Sequence, residues 1–413
     1  MRARAIAARR RRVVSHARMS ADKPLRATLP RTVWILGLVS LLMDFSSEAI
    51  HSLLPVFLVA VLGAPRAVVG LIEGAAEATA SFAKLFSGWL SDRIGRRKPL
   101  AVLGYSLGAA AKPLFALAAS PLLVFVARFV DRIGKGIRGA PRDALVADVT
   151  PAAQRGAAFG LRQSLDTLGA IAGPLAAAAL MAASGDDYRL VFWLAVIPGA
   201  AAALLLAAAV DEPARAAPPA APRPTGLGRA ELAGLGARCW MVIAVAFLIA
   251  LARYSEAFLL LRAETTGFAP ATIPLVLAGM NVVYALSSYP AGWLSDRLGE
   301  RWTLLAAGLV VCLAANTTLA LAAGPPTLAI GVALWGLHLG LTQGLLAGLI
   351  ADTAPQALRG TAFGAFHFAT GLALLPASVL AGVLWDTFSP AAPFWTAAAL
   401  TLAALAALRI VAR

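Results

Sequence analysis

The stretch at 88–98, GWLSDRIGRRK, ends a long apolar segment and recurs at 292–302 as GWLSDRLGERW. The two copies are 204 residues apart (292 − 88). A second pair, DVTPAAQRGAAFG at 148–160 and DTAPQALRGTAFG at 352–364, has the same spacing. Because two separate matches share one offset over so long a distance, the sequence predicts an internal duplication.

The composition indicates a membrane protein. Of 413 residues, 60% are apolar and 14% are charged, whereas about 25% are charged in a typical soluble domain. The net charge of +15 includes seven arginines within the first 18 residues, so it does not indicate a nucleic-acid partner, and residues 1–32 are predicted to form a basic cytosolic tail. Cys239 and Cys312 stand alone in apolar runs, which predicts no disulfide framework, metal or cofactor.

Twelve apolar runs are long enough to cross a bilayer, which takes about 20 helical residues. The predicted spans are 33–61, 67–91, 98–119, 121–141, 156–183, 189–210, 239–262, 270–294, 302–323, 327–350, 359–385 and 391–410. They form two six-helix halves, 33–210 and 239–413, joined by a Pro- and Ala-rich linker at 211–238. With both termini cytosolic, 25 of the 36 lysines and arginines lie inside and three outside, which favours this orientation. The prediction is an all-α polytopic protein of a cell inner (cytoplasmic) membrane.

Several motifs carry a family resemblance. The GxLxDRxGRR loop follows the second span, and a weaker copy follows the eighth. RIGKG at 132–136 and GAIAGP at 169–174 lie in the fourth and fifth spans. Together with the duplicated halves, these motifs resemble the loop, RxxxG and antiporter GxxxGP elements of the major facilitator superfamily (MFS), over residues 30–413. The resemblance implies twelve transmembrane helices in two pseudo-symmetric halves that rock about a central site, with one chain sufficient for transport.

The duplicated loop is predicted to act as a gate. Asp92 ends the second span, where the helix macrodipole disfavours an anion. If the halves pack as the resemblance implies, the N-terminus of the eleventh span receives this carboxylate, and Gly88 permits the close helix approach. The predicted gating residues of the two copies are Gly88, Asp92, Arg93, Arg96, Arg97, Gly292, Asp296 and Arg297. The alternative is that these charges only set the membrane topology.

Carboxylates within the spans are candidates for proton coupling, because charge inside a bilayer is costly and marks functional positions. Asp44, Glu48 and His51 are spaced to share one helical face. Glu73 and Glu77 repeat the four-residue spacing in the second span. A carboxylate removed from water binds a proton more readily, as a proton-coupled carrier requires. The alternative is that these groups pair with buried basic residues.

The fourth span carries a basic stripe that would have to face the bundle interior. Arg128, Arg132 and Lys135 lie on it and are predicted to bind an anionic substrate. Arg253 and Glu256 of the seventh span are predicted to join them. Internal ion pairs that switch partners are the competing interpretation.

Three further expectations concern the neighbours of this stripe. The resemblance places Asp44 and Glu48 opposite Arg132 and Lys135. Arg138 and Arg142, further along the stripe, are expected at the membrane interface. Arg162 and Asp166 are four residues apart in the fifth span and are expected to satisfy each other.

The sequence therefore predicts a secondary active transporter that moves a small organic, anionic solute across the inner membrane by alternating access, coupled to protons. A proton-antiport efflux pump for amphiphilic drugs is the alternative, disfavoured by an apparent surplus of cationic cavity residues. No phosphate-binding GxxxxGK loop or paired catalytic motif is present in the sequence. An enzyme is therefore not predicted, and a non-transporting membrane receptor is the less favoured reading. The expected partners are the solute, the proton and the lipid bilayer.

Overall fold

The computed structural model describes residues 29–94, 96–151, 154–211, 229–298 and 300–411, and every regular element in these residues is helical. The long helices are α1 (Arg31–His51), α2 (Arg66–Ile94), α3 (Lys98–Ala116), α4 (Pro121–Val149), α5 (Arg155–Ser184), α6 (Tyr188–Ala209), α7a (Gly236–Leu251), α7b (Ala257–Thr265), α8 (Pro274–Leu298), α9 (Arg301–Ala320), α10 (Pro325–Thr353), α11 (Arg359–Thr387) and α12 (Ala392–Val411). Short helical turns at Leu54–Val56, Phe57–Val61, Arg229–Ala233, Pro270–Thr272 and Gln356–Leu358 complete the described part. The all-α prediction is confirmed.

Eight helices in the described residues are long and apolar enough to cross a bilayer. They are α1 with its extension to Val61, α5, α6, α8, α9, α10, α11 and α12. The other four predicted spans correspond to α2, α3 and α4, which carry charged side chains, and to the interrupted α7. Most of the predicted tail and linker, residues 1–28 and 212–228, lies outside the described residues.

The helices of the two halves pack in the same order. In the first half α1 packs on α5 and α6, α3 on α4 and α6, and α2 on α4. In the second half the equivalent contacts join α7a to α11 and α12, α9 to α10 and α12, and α8 to α10. Among the described residues, the largest contacts between the halves join α2 to α11 and α5 to α8. Smaller ones join α7b to the Leu54–Val56 turn and to α2, and α5 to the Pro270–Thr272 turn. The sequence duplication is therefore also a duplication of helix packing.

The ends of α3 and α9 show the duplication in detail. Arg189 donates hydrogen bonds to the carbonyls of Ala116 (2.7 Å) and Ala118 (2.8 Å). Arg262 donates to Ala320 (3.2 Å) and Ala322 (2.9 Å), which lie 204 residues further along the chain. The last carbonyls of a helix have no partner within the helix. An arginine from another helix satisfies them in both halves, although the two arginines are not themselves repeat equivalents.

Buried apolar residues form three clusters that differ between the two ends of the bundle. We call the end where α1 begins and α12 ends the termini end, and the opposite end the far end. At the far end one cluster contains residues of both halves, such as Phe57 and Phe258. At the termini end each half has its own cluster, around Tyr105 in the first half and Leu305 in the second. The halves therefore share a core at the far end only.

Close helix contact between α2 and α11 depends on glycine. A Cβ placed on Gly74 would lie 2.9 Å from the Cα and the carbonyl oxygen of Leu375, and Gly70 and Gly371 are similarly enclosed by the opposite helix. At the far end the Asp386 carboxylate accepts a hydrogen bond of 2.8 Å from the first turn of α2, at Ala67 N–H. Small residues allow membrane helices to approach closely, so this seam is the tightest junction between the halves.

Candidate substrate cavity

The first helix of each half is interrupted at equivalent positions. α1 ends at His51 and resumes at Leu54 after a two-residue turn. α7a ends at Leu251, and residues 252–256 separate it from α7b, so the predicted span at 239–262 is interrupted, as the span at 33–61 is. His51 and Ser255 are 204 residues apart. Non-helical backbone at membrane depth is tolerated where it is buried in protein or lines a cavity, and both interruptions border the same cavity.

This cavity has a volume of about 280 Å³ and lies between the halves. Its acidic lining residues are Glu48, Glu73, Glu77 and Glu256. Its basic lining residues are Arg128, Arg132, Lys135 and Arg253. The structure thus brings together all five residues predicted to bind substrate and three of the four predicted for proton coupling. The expected cationic surplus is wrong for the described lining, where acids and bases are equal in number, because α2 contributes carboxylates to the wall that α4 lines with arginines.

Two of the basic residues are engaged in ion pairs. Arg128 lies 2.6 Å from Glu73, and Arg132 lies 3.3 Å from Glu77. Both pairs join α4 to α2, and both arginines also contact the ring of His51. Arg128 and Glu73 are almost completely buried, so their charges compensate each other rather than face solvent. Internal ion pairing, the alternative interpretation of the stripe, therefore describes these two arginines.

Three charged groups on the cavity wall remain available. The side chains of Lys135, Arg253 and Glu256 form no hydrogen bond and no ion pair within 4 Å in the part of the chain that the structure describes, although Arg253 and Glu256 are near enough to attract each other. Lys135 belongs to the first half, whereas Arg253 and Glu256 lie in the α7 interruption of the second. Lys135 and Glu256 are also exposed to the cavity. Because no existing ion pair has to break first, these three side chains are suited to binding a charged ligand.

A fully buried ion pair lies within the first half. The Lys112 ammonium is 2.7 Å from Asp131 Oδ1 and donates a hydrogen bond of 2.8 Å to Ser47 Oγ. His51 Nε2 is 3.7 Å from the other oxygen of Asp131. The group joins α1, α3 and α4. Lys112 and Asp131 are both recognisable in the sequence as charged residues within predicted spans, but nothing in their spacing identifies them as an ion pair.

Asp44 lies apart from the first cavity. It is 3.7 Å from Arg138 and lines a second cavity of about 260 Å³ towards the termini end. The expectation holds for Lys135, which lines the second cavity with Asp44 and the first cavity with Glu48 and Arg132. It fails for Asp44 and Arg132, because the ion pair of Asp44 is with Arg138. Arg138 is itself buried, over the ring of Tyr105 at 4.9 Å, and is not an interfacial residue. Lys135 lines both cavities.

The basic residues next to this second cavity form a network. Arg162 is 3.6 Å from Asp166, as the spacing predicts, and 3.6 Å from Asp143. Arg142 contacts the same two carboxylates, at 3.7 Å and 3.1 Å respectively. The expected Arg162–Asp166 pair is thus part of a larger cluster that links α4 to α5.

The predicted gating residues are only partly described. Gly88, Asp92 and Arg93 lie in α2 and Asp296 lies in α8, but their side chains are outside the described residues. Arg96 is exposed, and Arg297 lies over the ring of Trp293 at 5.1 Å. A Cβ on Gly292 would meet nothing within 4 Å, whereas Gly70 and Gly74 of α2 lie against the backbone of α11.

The duplicated loop has a further ion pair that sequence reasoning missed. Arg97, at the start of α3, lies 3.1 Å from Asp148 at the end of α4. Arg301 pairs with Asp352, and both residues are 204 positions further along. The signal was present, because both acids and both arginines belong to the two duplicated motifs. The pair joins the start of α3 to the end of α4 in the first half, and the start of α9 to the end of α10 in the second.

Comparisons with known proteins agree with this architecture. The family model described as Major Facilitator Superfamily matches residues 36–262 and 242–413. An uncharacterised MFS-type transporter of Methanocaldococcus jannaschii is 29% identical over 363 residues, 86% of this chain and 89% of the relative. The multidrug resistance protein MdtH of Yersinia enterocolitica is 29% identical over 164 residues, 40% of each chain. The crystal structure of the nucleoside transporter NupG has a TM-score of 0.75 at 13% identity, covering 93% of this chain and all of that one.

Proposed function

The chain belongs to the major facilitator superfamily, a family of transporters, and we propose that it moves a small organic anion by alternating access. One observation carries the proposal: Lys135 and Arg253, from opposite halves, face the same cavity without a described partner. An anion bound between them would attract both halves. Movement of the halves could then be coupled to the presence of substrate.

The proposed transport cycle follows from the packing of the halves. We propose that residues 33–210 and 239–413 are the two rocking bodies and that both termini are cytosolic in a cell inner membrane. The shared apolar core joins the halves at the far end, from which the α2–α11 seam extends to Phe82 and Phe368, whereas the apolar cores are separate at the termini end. With this orientation the structure corresponds to the cytosol-facing state. One chain contains both bodies, so a monomer suffices.

We propose that transport is coupled to protons through carboxylates that have no arginine or lysine within ion-pair distance among the described residues. Glu48 lies 3.6 Å from His51, and Glu256 has no described partner. Glu73 and Glu77 are instead paired with arginines. Because neither carboxylate is fixed in an ion pair with an arginine or lysine, as Glu73 and Glu77 are, Glu48 and Glu256 are the stronger candidates for proton exchange.

Proton coupling is tested with Glu48→Gln and Glu256→Gln in reconstituted vesicles. Neutralising the coupling residue should abolish uptake driven by a pH gradient while counterflow of substrate continues. Glu300→Gln, outside the cavity at the start of α9, is the matched control. Unchanged gradient-driven uptake in both single variants and in the double variant would exclude these residues.

The anion site is tested by calorimetric binding of organic carboxylates to the purified protein. Lys135→Gln and Arg253→Gln should each weaken binding about 10- to 100-fold, because a hydrogen bond to a charged group contributes about 1.5–3 kcal/mol. Arg409→Gln removes the same charge from the exposed end of α12 and should leave binding unchanged. Equal affinity in all three variants would place the site elsewhere.

The gate proposal for Asp92 rests on the duplicated sequence. It is supported by the seam between α2 and α11, which continues to the contact of Phe82 with Phe368 at 4.9 Å between ring centroids. Asp92→Asn should abolish transport while the melting temperature stays close to that of the unaltered protein. Full transport by the variant would remove the gate role.

Efflux of amphiphilic drugs by proton antiport is the second candidate. It is favoured by the four carboxylates on the cavity wall and by the partial similarity to MdtH. Under this proposal Glu256, rather than Lys135, would hold the charged part of the ligand. Tight binding of lipophilic cations, lost in Glu256→Gln and retained in Lys135→Gln, would establish it in place of the anion proposal.

A further inference from the structure

The two sides of the central cavity differ in chemistry. The first half contributes charged residues, including the paired arginines and carboxylates of α2 and α4. The second half contributes an apolar surface consisting of Tyr254, Ala257, Leu260, Leu277, Trp335 and Leu374. We call this surface the apolar wall. A ligand that fills the cavity therefore meets charged groups from both halves, including Arg253 and Glu256 of the second, and an apolar surface from the second half.

The apolar wall is built on a packed aromatic cluster. The rings of Tyr254 and Trp335 are 5.3 Å apart, and Tyr254 also packs edge-on against Phe258 and Phe394. Tyr254 uses its hydroxyl in a hydrogen bond to Asn316 at 3.0 Å. These contacts hold the aromatic faces in place. The wall is therefore rigid, and a flat apolar group can pack on it with little loss of side-chain freedom.

Trp335 retains one unsatisfied polar group. Its side chain is 1% exposed, and its indole N–H has no acceptor among the described residues. Buried polar groups almost always have a hydrogen-bond partner, so an unpaired one calls for an explanation. Because Trp335 lines the cavity, a carboxylate oxygen of the ligand would supply the missing acceptor.

The volume of the cavity fits a ligand with one ring. A dry cavity of about 150 Å³ is large enough for benzene, whereas this cavity has about 280 Å³. The difference accommodates a short charged group but not a second ring system of the same size. A compact dicarboxylate would leave the apolar wall without a contact, and a sugar would place hydroxyl groups against it.

Resting on the proposed anion transport, we infer that the substrate is a monoaromatic carboxylate, with its carboxylate between Lys135 and Arg253 and its ring on the apolar wall. Arg253 and Tyr254 are adjacent in the α7 interruption. The break in α7 therefore brings a cation and an aromatic surface to one cavity from neighbouring positions. Trp335 supplies a hydrogen-bond donor on the same side.

The inference is tested by calorimetric titration of the purified full chain with four probes. Phenylacetate has both a ring and a charge, malonate has charge without a ring, phenylacetamide has a ring without charge, and benzylammonium has the opposite charge. Phenylacetate should bind at least tenfold more tightly than each of the others. Its heat capacity of binding should be negative, because apolar surface is buried, whereas that of malonate should be close to zero.

Variants of the wall give an independent measurement. Leu374→Gln should weaken phenylacetate binding about tenfold, because it places a polar group against the ring, whereas Leu374→Met keeps an apolar surface of similar size and should bind as the unaltered protein does. Trp335→Phe should weaken it about three- to tenfold through loss of one hydrogen bond. Melting temperatures identify any variant that fails to fold, and the heat capacity measured on the unaltered protein does not depend on the variants.

The outcomes separate this inference from the proposed function. Malonate binding as tightly as phenylacetate, with Lys135→Gln weakening both, would overturn the aromatic inference and leave the anion proposal intact. Benzylammonium binding in the absence of any anion binding would overturn both. Phenylacetate affinity that is unchanged in Leu374→Gln and in Trp335→Phe would also overturn the placement of the ring.

Discussion

Replacement of Lys112 by methionine should destabilise the protein strongly. Lys112 and Asp131 are separated by 2.7 Å, with side chains 0% and 2% exposed. With an effective dielectric constant of about 20, two unit charges at this distance attract each other by about 6 kcal/mol. His51, 3.7 Å from Asp131, and protonation of the carboxylate limit the loss. We therefore expect a cost of about 3–5 kcal/mol, the usual effect of removing one partner of a buried pair.

The pair also predicts how a second substitution should act. The double variant Lys112→Met/Asp131→Leu replaces both charges by apolar side chains and leaves no unpaired ion. Such replacements are often neutral or stabilising. The double variant should therefore be more stable than Lys112→Met, which is opposite to the result expected if the two substitutions acted independently.

Thermal unfolding in detergent provides the measurement. A change of 1 kcal/mol shifts the melting temperature by about 2–4 °C in chains of 150–250 residues and by less in a longer chain, so the single variant should melt about 5–10 °C lower. Lys84→Met, the same substitution at an exposed lysine of α2, is the control. The reasoning would be refuted if Lys112→Met melted at the same temperature as the unaltered protein. It would also be refuted if the double variant were less stable than the single variant Lys112→Met.

Three further predictions concern contacts between helices. Gly74→Ala should lower stability by about 1–3 kcal/mol, because the added methyl group meets the backbone of α11. Gly279→Ala, which has open space around it, should leave stability unchanged. The melting temperatures of the two variants test this difference. Arg97→Glu and Asp148→Arg should each reduce stability by about 1 kcal/mol, and the double swap should regain part of the loss in the same assay. Asp386→Ala removes the hydrogen-bond acceptor at the start of α2, and the lost bond should cost about 1 kcal/mol. The fraction of molecules open at the far end should then rise about fivefold. Spin-label distances between the halves measure this fraction, and an unchanged distance distribution would contradict the prediction.

The helical architecture was predictable because hydrophobic runs are local. Twenty apolar residues form a membrane helix whatever lies beside them, since the bilayer offers no partner for backbone groups. The exceptions have a physical cause. α2 and α4 carry ionisable residues that find partners on each other, so their composition alone does not satisfy a hydropathy criterion. The break in α7 was missed because residues 252–256, ARYSE, contain no proline or glycine and are compatible with a continuous helix.

The candidate site was predictable as a set of residues but not as a set of partners. Ionisable residues within apolar runs are visible in any single sequence, and all those predicted to bind substrate line one cavity. The pairing of these charged residues depends on how two different helices are rotated and shifted relative to each other. Asp44 accordingly pairs with Arg138 rather than Arg132, although both arginines lie on the same helix.

The sequence alone therefore determined the duplication, the helical membrane class and the identity of the intramembrane charges, because each is encoded in residues that are near in the chain or repeated at a constant offset. Tertiary structure decided which charges are neutralised and which remain available. Among the described residues, it left Lys135, Arg253 and Glu256 without a side-chain ion pair within 4 Å and placed an apolar wall opposite the ion pairs. These features arise only when helices from both halves meet, since the strength of an ion pair depends on distances of a few ångströms between residues far apart in the chain.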